Sequence, residues 1–557
     1  MSASPGEVEA VRTGADSERV LFARWAWVVL AVVILVTAAV RLRLLDIPLE
    51  RDEGEYAYVG RLILQGVPPY LHAYNMKLPG IYAAYAAIMA VLGQSAAGIH
   101  LGLIAVNLAA ASLLFFIARH LFDILAAIAG CASFLILSLC PSVLGISANA
   151  EHFILLPALA GILVMLKAAD SGGVSGRRLM LFAGGLLLGT AFVVKQQGVF
   201  FLFFGAFALI AERFKVRPFA PAECAKDAAV FLVGSAVPYG SVCALLWAKG
   251  VFKDFWFWTV IYGGSYASQV PLSAGAIALL RAAFSIASSA PLLFVLSAVG
   301  MTALLWDEKS RSRRAFVGFF VLFSFLSTCP GLYFREHYFI LLLPAAALCA
   351  GLAVSAATGF ITNVSARPLM RALPLIFFAA ASLDAAARGG AILFHMKPTE
   401  ASRAMYGYNP FPESAEVARH IRSRTSSGDT VAVLGSEPQI FFYAARRSAT
   451  GFIYMYPLME PHRHALAMQQ QMIREIEEAR PAYMVFVNTD VSWLARESSE
   501  KLLFEWSSKY CRDHFDLEGV VDIIAPEETK YLWGKDAASY APRARSFLLV
   551  FRRKDNG

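Results

Sequence analysis

Arg51-Asp52-Glu53-Gly54-Glu55-Tyr56-Ala57-Tyr58 follows closely on the apolar run from Trp25 to about Leu45. That run is long enough to cross a hydrocarbon core of ~30 Å. The three carboxylates of the octapeptide therefore stand where the chain leaves the lipid. Polar groups near the bilayer are costly and by default mark a site. The run itself follows a polar start holding Arg12, Arg19 and Arg24. It is too long for a removable signal peptide and lacks a clear small-residue cleavage site, so it reads as a retained signal anchor.

Composition places the rest of the chain in the same class. Of 557 residues, 58% are hydrophobic and only 16% charged, far from a soluble globular balance. About eleven apolar spans can be threaded, starting near Trp25, Ile99, Leu121, His152, Leu179, Gly198, Ala228, Ala290, Ala315, Tyr338 and Leu373. The net charge of +8 is not a nucleic-acid signal, because the excess bases sit mainly in short loops between spans. With the N-terminus in the cytoplasm, the inner loops hold Arg119; Lys167, Arg177 and Arg178; Arg213, Lys215, Arg217 and Lys226; Lys309, Arg311, Arg313 and Arg314; and Arg367 and Arg371. The positive-inside rule favours that orientation, although Arg41, Arg43 and Arg51 run against it. An odd number of spans then puts the tail outside. The expectation is a polytopic α-helical membrane protein with a C-terminal extracytoplasmic α/β domain. Its parts are a cytoplasmic segment 1–24, a transmembrane domain 25–395 with a long first outer loop 46–98, and an outer domain 396–557.

The outer face gathers the reactive groups. Besides the acidic cluster it carries Lys77, Glu151, His152, Lys195, Arg335 and His337. Carboxylates such as Asp52 and Glu53 accept protons or coordinate divalent cations, whereas the bland alternative is a solvated acidic edge. Lys77-Leu78-Pro79-Gly80 closes the same loop with an ammonium that either neutralises a phosphate or snorkels to the headgroups. Asn149-Ala150-Glu151-His152 opens a span, where Asn149 suits a helix cap and Glu151 the positive end of the helix dipole; the pair could also orient a sugar hydroxyl or bind metal. Lys195 lies deep enough to need an anionic partner, either a ligand or Glu151. Arg335-Glu336-His337-Tyr338 is either an internal ion pair or a phosphate-capturing turn. The aromatic stretch around Phe252, Trp256, Trp258 and Tyr262 reads as an interfacial belt or as a platform for a lipid tail or sugar ring.

The tail changes to ordinary polarity. Val431-Ala432-Val433-Leu434 and Tyr483-Met484-Val485-Phe486-Val487 read as strands, with a helix around His464 to Ala479 between them. No phosphate-binding glycine loop opens a helix there, so no chemistry is assigned to it. Its single cysteine, Cys511, has no disulfide partner in the tail.

The run from Asp52-Glu53 through Tyr58, Gly60, Gly66, Pro69-Tyr70 and Lys77-Leu78-Pro79-Gly80 resembles the GT-C type glycosyltransferases that use polyprenyl-phosphate sugars. The similarity is to the bacterial branch related to protein O-mannosyltransferases and the lipid A aminoarabinose transferase. Glu151-His152 and Arg335-Glu336-His337-Tyr338 also look like elements of that branch, and the likeness covers roughly Trp25 to Ala356. The resemblance implies a bacterial inner-membrane enzyme, with its tail in the periplasm. Such an enzyme moves a sugar from a polyprenyl-phosphate donor to an extracytoplasmic lipid, polysaccharide or protein, with inversion.

By the same resemblance, Asp52 or Glu53 acts on the acceptor hydroxyl, with Asp52 the better match. Lys77, Lys195 and Arg335 hold the departing phosphate, with Glu151, His152 and His337 at the donor. Close relatives often carry Lys-Pro-Pro where this chain has Lys77-Leu78-Pro79. A divalent metal ion is a possible cofactor, with Asp52, Glu151 and His152 as candidate ligands. Membrane lipids are implied partners and nucleic acid is not. The alternative is a multi-span transporter or flippase of a lipid-linked or anionic substrate. That reading calls for charges at the bilayer midplane and internal repeats, whereas here the charges gather at one interface and no clear repeat is found.

Overall fold

A backbone that enters lipid must satisfy its own N–H and C=O groups, so the apolar runs form helices. The computed structural model describes residues 26–215, 220–365 and 367–554; the expected cytoplasmic segment 1–24, Trp25 and the loop residue Arg217 lie outside the described residues. The chain begins with α1 (Ala26–Arg43), followed by α2 (Arg51–Leu64) and α3 (Gly80–Leu92) in the first outer segment. Then come α4 (Ala96–Leu121), α5 (Ile124–Leu137), α6 (Ala150–Asp170), α7 (Val174–Val194), α8 (Val199–Lys215) and α9 (Pro221–Ala248). The bundle closes with α10 (Leu272–Ser289), α11 (Pro291–Trp306), α12 (Arg314–Leu326), α13 (Leu343–Val364) and α14 (Pro368–Arg388). Among the described residues nine helices are long and apolar enough to cross a membrane: α1, α4, α6 to α10, α13 and α14; α3, α5, α11 and α12 are apolar but shorter. The protein is a multi-pass membrane protein.

Two apolar helices lie where loop was expected. α3 falls within the expected first outer loop, and beyond Lys249 a helical segment at 252–267 is followed directly by α10. Rich in Ala, Ser and Gly, α10 carries less apolar weight than its Leu- and Phe-rich neighbours, which hid it. The three arginines that break the positive-inside pattern have structural partners. Arg41 donates to the Ser138 and Gly145 carbonyls at 3.0 Å, Arg43 to the 392, 393 and 396 carbonyls, and Arg51 to Glu437. At the opposite end of the bundle, Arg177, Arg178 and Arg213 converge on the buried Asp227. Loops expected on one side of the membrane thus share an end of the bundle.

The tail folds around a mixed six-stranded sheet of order β2-β1-β3-β6-β4-β5. The strands are β1 (Thr430–Leu434), β2 (Arg447–Ser448), β3 (Tyr483–Asn488), β4 (Phe515–Ala525), β5 (Glu528–Trp533) and β6 (Phe547–Arg553). β1 runs parallel to β2 and β3, and the remaining pairs are antiparallel. The expected strands and the helix Ala465–Ala479 are all present; the antiparallel half after Phe515 adds the rest of the sheet.

The tail is docked onto α2. A Cβ on Gly54 would lie 2.6 Å from the Gln439 backbone, so the glycine inside the acidic cluster is what lets the tail helix Gln439–Ala444 approach. Arg51 donates to the Ser436 carbonyl and to Glu437, and the Ser448 N–H donates to the Tyr58 hydroxyl. Nine of the fourteen residues of α2 are buried between bundle and tail. It is a core helix.

Candidate catalytic cavity

The phase of α2 separates its carboxylates. Residues three apart share a helix face, so Asp52 and Glu55 point one way and Glu53 another. Glu53 forms a capping box with Glu50: each side chain accepts from the other's backbone N–H at 3.0 Å. Its Oε1 also accepts from the Ala148 N–H at 2.5 Å and meets His100 Nε2 at 3.0 Å. Glu53 is completely buried and does not line the cavity, so the structure leaves this expected catalytic residue in a structural network. The helix geometry of a capping residue and its third neighbour accounts for this.

Asp52 and Glu55 share Lys77, at 2.8 and 2.7 Å. Glu55 also accepts from the Tyr82 hydroxyl, which leaves it fully enclosed, while Asp52 remains open to a cavity of about 180 Å³. Burial alone would raise the Asp52 carboxyl, but Lys77, with His337 and Lys195 beyond it, holds it well below the ordinary carboxylate range. Burial likewise lowers the Lys77 ammonium by itself, and its two carboxylates more than reverse this, raising it above the usual lysine value. Burial is also the larger influence on Glu55, whose carboxyl is raised despite Lys77.

Glycine places the second lysine. A Cβ on Gly80 would fall 2.6 Å from the Val193 carbonyl, so the Lys77-Leu78-Pro79-Gly80 turn can sit against the end of α7, just before Lys195. Gln196 ties the two segments by donating to the Met76 carbonyl at 2.7 Å. Lys195 lines the cavity, pairs with Glu151 at 2.6 Å and lies 4.8 Å from the Tyr338 ring centroid. Arg335 and His337 complete the wall. Arg335 meets the Tyr266 hydroxyl at 3.3 Å and has no carboxylate partner among the described residues. It is the cation least engaged by the protein itself.

Of the eight candidate residues, Asp52, Lys77, Lys195, Arg335 and His337 line one cavity. Glu151 reaches it only through Lys195. His152 is buried beside Glu151 and does not line the cavity. The proposed metal set of Asp52, Glu151 and His152 is not assembled. Among the described residues no three His, Cys, Asp or Glu side chains could hold a metal ion together. Asp52 and Glu151 are each already neutralised by a lysine ammonium, so a cation would have to displace it. These residues do not fit a metal ion.

The tail's contribution is not legible in its residues. The Tyr454 hydroxyl donates to Asp52 Oδ1 at 2.7 Å, and Tyr456 lines the same wall. The aromatic segment at 252–267 supplies Tyr262 and Tyr266, while Trp258 stacks on Tyr74 with centroids 5.6 Å apart. It is therefore a wall of the cavity, and also a seat for the tail, since the Tyr262 hydroxyl donates to Glu460 at 2.6 Å and Trp258 meets Phe452 with ring centroids 6.0 Å apart. Tyr266 lies within the stretch whose aromatic density was legible; Tyr454 sits in a segment with no distinguishing pattern.

No protein-family model matches the chain, and no curated protein matches its sequence. Solved structures do match its fold. ArnT from Cupriavidus metallidurans bound to undecaprenyl phosphate is 14% identical with a TM-score of 0.57, covering 94% of this chain and 98% of that one. The archaeal oligosaccharyltransferase AglB from Archaeoglobus fulgidus, in complex with an inhibitory peptide and a dolichol-phosphate, is 12% identical with a TM-score of 0.53, covering 92% and 74%. A further structure of the Archaeoglobus fulgidus enzyme, in complex with Zn and sulfate, reaches a TM-score of 0.50 at 12% identity, covering 90% and 72%. The chain has the fold of the membrane glycosyltransferases of the GT-C type. The similarity runs through both the transmembrane bundle and the tail, over nearly the full length of the ArnT structure.

Proposed function

We propose that this protein is an inverting glycosyltransferase that moves a sugar from a polyprenyl-phosphate donor to an acceptor hydroxyl in the cell envelope. The observation that carries the reading is that Asp52, the one carboxylate among the described residues that lines the cavity, shares it with the cations Lys77, Lys195 and Arg335. Transfer from a sugar phosphate needs a negative group at the acceptor and positive groups at the leaving phosphate, and this wall provides both. In the reaction the acceptor oxygen bonds to the anomeric carbon as the bond to the phosphate oxygen breaks. The electron pair leaves with the phosphate, and the acceptor proton passes to Asp52. A carboxylate held so acidic is a weak base, but a donor phosphate competing for Lys77 would return Asp52 toward its ordinary basicity. The same negative charge favours the cationic character that develops at the anomeric carbon.

Arg335, lacking a carboxylate, and Lys195, at the cavity wall, are the groups assigned to the phosphate. A charged hydrogen bond contributes about 1.5–3 kcal/mol. Arg335→Ala and Lys195→Ala should therefore each weaken use of a polyprenyl-phosphate sugar by roughly tenfold or more while the folded, inserted protein persists. Donor kinetics equal to the parent's in both variants would reduce the two residues to structural charges.

The reading requires the cavity and tail to face away from the cytoplasm. A reporter active only in the periplasm should be active when fused after Gly557 and silent when inserted between Lys309 and Arg314. The reverse pattern would put the cavity on the wrong leaflet.

A further inference from the structure

A second basic cavity lies at the other end of α2, nine residues or about 13 Å along the helix from Asp52. It has a volume of about 280 Å³ and is lined by Tyr58, Arg61, Gln65, the Ser427-Gly428 turn, Arg446 and Arg447. Arg422 adjoins it, since its carbonyl accepts from Arg446 Nη2 at 3.2 Å and its charge acts on Arg61. Among the described residues none of these four arginines meets a carboxylate. Arg446 is buried and donates only to the Thr425 hydroxyl and to backbone carbonyls. Arg61 donates to the Phe442 carbonyl and to Gln94 Oε1 at 2.9 Å. Arg422 and Arg447 are exposed. Asp429, in the neighbouring turn, is occupied by the Ser426 N–H and hydroxyl.

Guanidinium groups brought together without an acid repel one another and keep unused donors. Burial, and then Arg422, lowers Arg61 to about 10. A phosphate relieves the repulsion and matches the fork of an arginine bidentately. The surroundings indicate how such a phosphate arrives. Gln94 follows the C-terminal end of α3, where Val91 is 81% exposed and Leu92 42%, and Leu64 of α2 is 40% exposed. A cluster of arginines rimmed by exposed apolar residues suits a charged headgroup whose chains continue into the lipid.

We propose that this cleft, formed by the C-terminal half of α2 and the edge strand β2, binds the phosphate headgroup of an anionic lipid. The site is separate from the Asp52 cavity and rests on no step of the transfer reaction.

The test uses the full-length protein in detergent and compares retention of dipalmitoyl phosphatidic acid, dipalmitoyl phosphatidylcholine and inorganic phosphate by native mass spectrometry. The parent and the double variant Arg422→Ala/Arg447→Ala are measured side by side. Both residues are exposed, so the variant's thermal unfolding should match the parent's. The expected result is that phosphatidic acid binds the parent at least tenfold more tightly than phosphatidylcholine or inorganic phosphate, and that the double variant loses this preference. Inorganic phosphate bound as tightly as phosphatidic acid, and lost in the variant, would show a site for the free anion and overturn the lipid assignment. Equal retention of phosphatidic acid by parent and variant would overturn the site itself.

Discussion

Asp52→Asn should abolish nearly all sugar transfer while leaving a folded protein. The substitution keeps the side-chain shape, and its Oδ1 can still accept from the Tyr454 hydroxyl. Lys77 retains Glu55 at 2.7 Å, so no buried cation is left without a partner. What disappears is the negative charge facing the cavity and its capacity to take a proton. Loss of a general base typically costs about 10²–10⁴-fold in rate. The control is Glu53→Gln. Glu53 accepts from the Glu50 and Ala148 N–H groups and meets His100, so its loss should appear as a lower unfolding temperature. The rate per folded molecule should fall by less than about tenfold, short of what removal of a catalytic base costs. A transfer assay on purified variants, with donor binding and thermal unfolding measured separately, distinguishes the two. An inactive but stable Glu53→Gln beside an active Asp52→Asn would reverse the assignment.

Lys77→Met should have a comparably large effect by a different route. Its ammonium is shared by Asp52 and by Glu55, and Glu55 is fully buried. Removing one member of a buried ion pair costs about 3–5 kcal/mol, because the remaining charge is left uncompensated. The variant should lose both transfer and stability. The pH dependence follows from the directions of the shifts. Asp52 is depressed in the fold, so its share of the stability is present above its unfolded pKa and lost as pH falls through the depressed value. Lys77 is raised, so its share is present below its unfolded pKa and lost as pH rises through the raised one. The pair therefore supports the parent fold throughout the neutral range. Without Lys77, Glu55 is already raised by burial and is better tolerated when protonated, so the unfolding temperature of Lys77→Met should rise as pH falls from about 8 toward 5. The double variant Lys77→Met/Glu55→Gln should recover stability at neutral pH without recovering transfer. A single variant as stable as the parent and with the parent's pH profile would show that Lys77 does not hold the pair together.

The architectural class of this protein was legible in its residues alone. Long apolar runs admit little besides helix in lipid, and the short unbroken apolar runs of the tail at 431–434 and 483–487 were enough to place β1 and β3. The acidic octapeptide, Lys77, Lys195 and the 335–338 turn were also legible, because charge is rare in so apolar a chain. Tertiary structure decided which of those charges share a site. Adjacent carboxylates look equivalent in a string, yet 100° of helical rotation sends Glu53 into the Glu50–His100 network and Asp52 into the cavity. Glu151 and Lys195 pair across 44 positions, and Tyr454 reaches Asp52 across 402, because Gly80 and Gly54 lack the side chains that would hold α7 and the tail away. Contacts between such distant residues depend on how helices and sheet pack against one another, and no local periodicity records them.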